Sequence, residues 1–221
     1  MKKLTLLIPA KNENESLPQV LRELEIYELQ IIIILEKTDL KTIESIKDFN
    51  CKIIYQENKG YGDALIQGIK NAQTEFFCIF NADGSFNPKE IKMMYELINR
   101  NSADFVFASR YMENAGSEDD TIVTYVGNKI FTLIGSLFFS LNISDILYTF
   151  VMGITKKAQT LNLMEKKFGF CVELPIKAKK SNFSMLTSPS NERKRIAGKK
   201  KVNEFIDGFK ILISMIKLFF K

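Results

Sequence analysis

Along the first half of the chain, apolar residues come in short unbroken runs: "KLTLLIP" at 3–9, "QIIIILE" at 30–36, "CKIIYQ" at 51–56, "EFFCIF" at 75–80 and "ADFVFAS" at 103–109. A strand that is apolar on both faces must be covered on both faces, which points to a mainly parallel sheet between layers of helix. The stretches between the runs have helical spacing: "LPQVLRELEIY", "DLKTIESIKDF", "DALIQGIKNA" and "PKEIKMMYELINR". Ser16 and Gln19 stand at capping-box spacing before the first of these, with Pro18 in its first turn, and the last is expected to start at Pro88. The alternation predicts an α/β fold, mainly parallel sheet with helices on both faces.

After about residue 120 the pattern changes. "TIVTYVGNKIFTLIGSLFFSLNISDILYTF" is a long apolar helical stretch, expected to be broken at Gly127 and Gly135. It approaches the roughly 20 apolar residues of a membrane span, but Asn128, Lys129 and the serines favour a buried or membrane-adjacent helix. In the final segment "FIDGFKILISMIKLFFK", Asp207, Lys210, Ser214, Lys217 and Lys221 recur at steps of three and four and form one polar stripe on an apolar helix. Such a helix suits an anionic membrane surface, and the competing reading is a core helix packed on the sheet. The chain then divides into a catalytic domain at 1–200 and a C-terminal amphipathic helix at 201–221.

Composition narrows the chemistry. At 221 residues, 46% hydrophobic and 26% charged, the chain is long enough for one well-buried domain with an appendage. The N-terminus shows no signal-peptide pattern and is read as the first strand. Cys51, Cys78 and Cys171 are not at metal-ligand spacing, which predicts buried free thiols in a reducing, cytoplasmic setting. There is no histidine, so Ser-His-Asp and Cys-His nucleophiles, HExxH zinc sites and imidazole bases are excluded. Chemistry must run on carboxylates, cations and backbone amides, with or without a metal. The net charge is +5, yet "RKRIAGKKK" at 193–201 alone holds six cations, so the basicity is local and suggests an anionic partner. Few aromatics accompany it and no nucleic-acid motif is present, which argues against nucleic acid.

Parallel sheets bind ligands beyond the carboxyl ends of their strands. There the chain places "PAKNEN", "EKTD", "ENKGYGD", "NADGS" and "SRY". The two glycines of "NKGYGD" either let backbone amides approach a phosphate or simply make a tight turn. "NADGS" is either a turn or the grip of a hard cation carrying a diphosphate, since magnesium often binds with few carboxylates.

In order and spacing, "LLIPAKNENESLPQVL", "NKGYGDALIQGIKNAQTEFFCIFNADGSFNP", "ASRY", "SDILYTFVMG" and "RIAGKKK" resemble the family 2 inverting glycosyltransferases, specifically polyprenyl-phosphate sugar transferases of the dolichol-phosphate mannose synthase type. The resemblance implies a GT-A fold, a nucleotide-sugar donor, Mg2+ or Mn2+, a polyprenyl phosphate acceptor and a peripheral position on the cytoplasmic face of the membrane. By position it implies a nucleotide pocket lined by Pro9, Ala10, Asn12 and Glu13, with Gly60, Gly62 and Asp63 nearby and Glu36 as a substitute acid. It puts the metal at Asp83, Asn81 and Ser85, and catalytic roles at Asp83, Arg110, Asp145 and Arg195. Arg195, Lys200 and Lys201 are implied to meet the acceptor phosphate, with Gly198 in the same motif. The chain departs from the family where Asn81 replaces the first acid of D-x-D, where "LEKTD" replaces an acid-rich nucleotide motif, and where Lys200 replaces a serine. Acids "EDD" lie near a position that often carries a second arginine. Transfer to a glycan or soluble acceptor, and a non-catalytic membrane-binding module, are the alternatives.

Overall fold

The computed structural model describes residues 1–198 and 201–220. Its sheet has seven strands: β1 (Leu4–Pro9), β2 (Gln30–Leu35), β3 (Lys52–Tyr55), β4 (Phe76–Ile79), β5 (Phe105–Ser109), β7 (Val151–Ile154) and β8 (Met185–Pro189), in the order β3-β2-β1-β4-β7-β5-β8. All neighbours are parallel except β7, which runs antiparallel to both β4 and β5. A short parallel pair, β6 (Gly116–Ser117) and β9 (Asn191–Glu192), lies outside the sheet. The five strands read from the sequence are all present. β7 follows directly on the long apolar stretch, and β8 is mixed in polarity (MLTSP), so neither stood out as a separate apolar run.

The helices are α1 (Leu17–Glu25), α2 (Leu40–Ser45), α3 (Tyr61–Asn71), α4 (Lys89–Arg100), α5 (Ile122–Phe139), α6 (Thr155–Thr160), α7 (Phe170–Lys180) and α8 (Glu204–Phe219). The sheet has two apolar faces. Leu4, Leu6 and Ile8 of β1 join α1 and α4 on one side, while Leu7, Ile32 and Ile34 join α3 and α7 on the other. This two-sided burial is why the strands are apolar at every position.

Local expectations fail where a side chain finds a better partner than the one its spacing suggested. Ser16 does not form a capping box: its backbone is already helical, its Oγ donates to Glu13 (2.6 Å), and Gln19 donates to the Glu15 carbonyl (3.1 Å). α5 runs unbroken through both glycines, because one glycine costs a helix only about 1 kcal/mol and Thr121 with Thr124 caps its start. Gly135 lets the returning chain approach, since a Cβ there would press on Ile146 (2.9 Å) and Leu141 (3.1 Å). The helix ends at Ser140, in the left-handed region at φ 53°.

α8 packs one face against the protein, as its core-helix reading expects, and leaves the other face exposed. Ile211, Ser214, Met215 and Leu218 are buried against α5 and α7, so Ser214 belongs to the packed face and not to an exposed polar stripe. Phe205, Phe209 and Phe220 face outward with Lys210 and Lys217. Lys221 lies outside the described residues. Packed beside α8, α5 exposes Ile122, Val126, Ile130, Leu133 and Leu137, and it buries only Asn128 and Gly135. By length and composition α5 is apolar enough to cross a membrane. Asn128, however, donates to the buried carboxylate of Asp145 and so ties the helix to the rest of the protein near its first turns. Among the cysteines, Cys78 and Cys171 are buried and free, while Cys51 is only half-buried, a departure from the expected three buried thiols.

Candidate active site

The carboxyl ends of β1, β2, β4 and β5 converge on one edge of the sheet, and each loop is fixed by hydrogen bonds across elements. After β1, the Ala10 amide donates to the Ile34 carbonyl (2.9 Å), placing Pro9 and Ala10 beside β2. Asn12 takes a left-handed backbone (φ 53°) and its amide donates to Asp39 (2.6 Å), which also caps α2. The Glu13 amide donates to Thr42 (2.9 Å), and its buried carboxylate accepts from Ser16 and from Lys201. Glu36 pairs with Lys11 (3.0 Å). This first loop is therefore fixed across the carboxyl ends of β1 and β2.

The expected glycine-rich cradle has a different job. A Cβ on Gly60 would run into the carbonyl of Lys166, and one on Gly62 into that of Glu165; the Asp63 amide donates to Lys166 O (3.0 Å). The glycines admit the 165–167 backbone, which packs against them where side chains would otherwise stand. Asp63 is buried and accepts two bonds from Asn58 (both 3.0 Å), so it closes the loop and does not face a ligand.

After β4, Asp83 and its neighbours form a compact polar turn. Asp83 Oδ1 accepts from the Ser85 amide (3.0 Å), and Gly84 takes φ +82°. Asn81 Oδ1 accepts from the Phe86 amide (3.2 Å) and its Nδ2 donates to Ser85 Oγ. The 193–196 segment lies along this turn: Arg193 N donates to Ser85 O (2.8 Å) and Ile196 N to Asp83 O (2.7 Å). That backbone pairing delivers Arg195. Its Nη1 stands 3.5 Å from Asp83 Oδ2, while Nε and Nη2 grip Asp119 (3.2 and 2.5 Å). The hydrogen bond to Asp119 leads the interactions that hold the guanidinium protonated, ahead of the cost of burial.

Arg110 and Asp145, expected to act on substrate, are instead each other's partners. Arg110 Nε and Nη2 donate to the two oxygens of Asp145 (2.8 and 3.0 Å), Nη1 donates to Glu192 (3.1 Å), and the guanidinium lies 4.5 Å from the Tyr148 ring centre. The side chains are 11% and 0% exposed. Burial disfavours the charged guanidinium, but the bonds and charges of Asp145 and Glu192 outweigh it and hold its pKa above the ordinary value. With its donors taken, Arg110 positions the loops around it: a buried pair that loses one partner leaves an uncompensated charge. Burial also raises the Glu192 carboxyl above its ordinary value, against the pull of Arg110.

The structure thus brings together Pro9, Ala10, Asn12, Glu13, Glu36, Asn81, Asp83, Ser85, Arg195 and Lys201, and gives Gly60, Gly62, Asp63, Arg110 and Asp145 supporting roles. Lys200 lies outside the described residues. Asp119 is the site residue that sequence reasoning did not assign; its acidic run was visible, but its partner is 76 residues away. Lys129, 4.5 Å from the Tyr111 ring centre and 5.6 Å from that of Tyr125, is a further cation beside this group.

Among the described residues no cluster of three or more acids or cysteines stands ready for a metal. Asp83 with Asn81 and Ser85 still offers one carboxylate and two neutral oxygens. That set suits a hard cation that brings most of its ligands as water and phosphate.

Comparison with known proteins is consistent with this arrangement. The sequence pattern described as glycosyl transferase family 2 matches residues 5–161. The chain is 26% identical over 126 residues to a dolichol-phosphate mannosyltransferase of Pyrococcus furiosus, a match covering 53% of this chain but 36% of that protein. It is 24% identical over 238 residues to a UDP-N-acetylglucosamine–dolichyl-phosphate N-acetylglucosaminyltransferase of Methanococcus voltae, covering 96% and 94% of the two chains. Among solved structures it is similar to glucosyl-3-phosphoglycerate synthase of Mycobacterium tuberculosis in complex with Mn2+, UDP and glucosyl-3-phosphoglycerate, with a TM-score of 0.76 at 12% identity, covering 98% of this chain and 79% of that one. At that identity the likeness speaks for the fold, which is the expected GT-A arrangement.

Proposed function

Because the chain belongs to glycosyl transferase family 2, and is a glycosyltransferase on that ground, we propose that it transfers a hexose from a nucleotide sugar of the GDP-mannose or UDP-glucose type to a polyprenyl phosphate, with inversion. The observation that carries the lipid acceptor is the joint exposed apolar face of α5 and α8, because α5 itself bears Lys129 and, through Asn128, touches Asp145, the partner of Arg110. Burying one large apolar side chain contributes about 1.5–3 kcal/mol. Several such side chains on two adjacent helices, with Lys210 and Lys217 among them, suit peripheral docking on an anionic, cytoplasmic membrane face.

In this reading Pro9, Ala10, Asn12, Glu13 and Glu36 bound the nucleotide pocket. Asp83, with Asn81 and Ser85, holds Mg2+ or Mn2+, which would supply positive charge to the departing diphosphate. The acceptor's phosphate oxygen bonds to the anomeric carbon as the bond to the nucleoside diphosphate breaks, and that bond's electron pair leaves with the diphosphate. A phosphate monoester is already anionic, so a chain without histidine lacks nothing that the reaction needs. Arg195 and Lys201 hold and orient the anions, and orientation of two bound reactants is itself a large part of the rate.

A second reading, transfer to a small soluble phosphorylated acceptor, is favoured by the likeness to glucosyl-3-phosphoglycerate synthase. The two separate in one experiment: the full chain, Mn2+ and a panel of GDP-, UDP- and CDP-sugars are offered either polyprenyl phosphate in anionic liposomes or 3-phosphoglycerate in solution. Transfer to lipid that falls when Phe205, Phe209 and Phe220 are changed to Ser supports the first reading; transfer to phosphoglycerate alone overturns it. These outward-facing residues are better probes than deletion of α8, which would uncover the core at Ile211, Met215 and Leu218. Asp83→Ala should abolish turnover with no change in the melting curve, since the residue lies on a strand-end loop.

A further inference from the structure

Asp83 lacks the acidic partner that the family pattern places two residues before it, and Asn81 fills that position with a neutral amide whose oxygen already accepts from Phe86. The free oxygen of Asp83 nevertheless has a cation against it, because Arg195 Nη1 stands 3.5 Å away. We propose that Arg195 is the resident counter-cation of Asp83, that it and a divalent cation occupy Asp83 in mutually exclusive fashion, and that Asp119 keeps the arginine when the metal takes the carboxylate. This rests on the reading of Asp83 as the metal-holding residue.

The geometry is asymmetric in the way such an exchange requires. Arg195 is bound to Asp119 through two nitrogens (3.2 and 2.5 Å), the forked contact that a guanidinium makes best, whereas its contact with Asp83 is a single approach at 3.5 Å. It can therefore leave Asp83 and keep its own charge satisfied. Asp119 is brought there by the parallel pairing of β6 with β9 and by the Glu118 amide, which donates to the Glu192 carbonyl (2.9 Å). Arg195 is brought there by the backbone bonds between 193–196 and 83–85, which do not depend on its side chain. All three side chains are about one-fifth exposed, so ions from solvent can reach them. Two carboxylates and one guanidinium carry a net charge of −1. A divalent cation turns this to +1, which matches an arriving diphosphate, and two cations within a few ångströms of one carboxylate oxygen repel strongly. The arginine freed from Asp83 then turns its Nη1 toward the phosphates that accompany the metal.

Binding of Mn2+ to the full chain, alone and with UDP, is measured by loss of the free Mn2+ electron paramagnetic resonance signal. Arg195→Gln is expected to tighten Mn2+ binding without nucleotide by about tenfold, from removal of the competing charge. Asp119→Asn is expected to weaken it, because Asp83 is then the arginine's remaining carboxylate partner among those it touches. Arg195→Lys keeps the charge and is expected to stay near wild type; if it matches the Gln variant, charge is not the cause and the proposal falls. Unchanged or weaker Mn2+ binding in a folded Arg195→Gln protein also overturns it. Asp83→Asn tells the two failures apart: if that variant binds Mn2+ as the wild type does, with and without UDP, Asp83 is not the metal residue and the inference falls together with the reading beneath it.

Discussion

α3 and α5 are both apolar helices that carry glycines, and they meet opposite fates. In α3, eight consecutive residues from Gly62 to Ile69 are buried, and Gly68 brings the helix onto Leu7 and Ile34 of the sheet. In α5, only Asn128 and Gly135 are buried over 18 residues, and Ile122 is 84% exposed. The more apolar of the two helices is the one left uncovered. Hydrophobicity states that a surface will leave water; it does not state whether a sheet or a membrane will receive it. The polar residues tell the two apart. Asp63 and Gln67 in α3 are enclosed among core residues, whereas in α5 the buried polar group, Asn128, faces Asp145 and leaves the opposite side apolar.

The largest effect that tests this contrast comes from alanine at matched glycines. Gly62→Ala forces a methyl group into the Glu165 and Lys167 carbonyls, which are backbone and cannot step aside. A loss of about 3 kcal/mol or more in urea unfolding is expected. Gly127→Ala meets open space in α5, and there the gain in helix propensity should raise stability by up to about 1 kcal/mol. If Gly127→Ala also destabilises, that face of α5 is covered in solution and the comparison fails.

Next in size is the effect of charge on the open face. Val126→Glu with Ile130→Glu should change stability in solution by no more than about 0.5 kcal/mol, yet lower partition onto anionic vesicles by about tenfold or more, read by co-sedimentation. A comparable drop in melting temperature would show that the face is packed.

The smallest effect is on pH. Glu90 accepts from Ser190 (2.6 Å) and Asn191 (2.8 Å), but burial outweighs these bonds and raises its carboxyl above the ordinary range. The folded protein then holds this proton more tightly than the unfolded chain. Its contribution to stability is full below the ordinary carboxylate range and fades as pH rises through the raised value. Glu90→Gln should flatten the fall in melting temperature that wild type shows as pH rises above the ordinary carboxylate range. An unchanged slope would assign the dependence to Glu192, whose carboxyl is raised in the same direction.

Much of this site was legible because strand ends are legible. "PAKNEN" and "NADGS" follow apolar runs, and a parallel sheet gathers such loops at one edge. Other residues have partners that lie far away in the sequence, and those the sequence did not show. Arg110 meets Asp145 and Glu192, 35 and 82 residues away, and nothing in "SRY" states whether its arginine turns outward to phosphate or inward to carboxylates. Gly60 and Gly62 carry the same ambiguity, because a glycine that admits a phosphate and one that admits the 165–167 backbone look alike in one dimension.

The sequence by itself determined the covered parallel sheet, the absence of imidazole chemistry, the strand-end acid at Asp83 and the apolar character of the last two long helices. These follow from periodicity and composition, which are local. The tertiary structure alone decided that Arg195 is shared between Asp119 and Asp83, that Arg110 is locked, and that α5 and α8 each turn one face inward and one outward. Charge pairing and burial depend on which distant segments the fold brings within a few ångströms, and no local pattern records that distance.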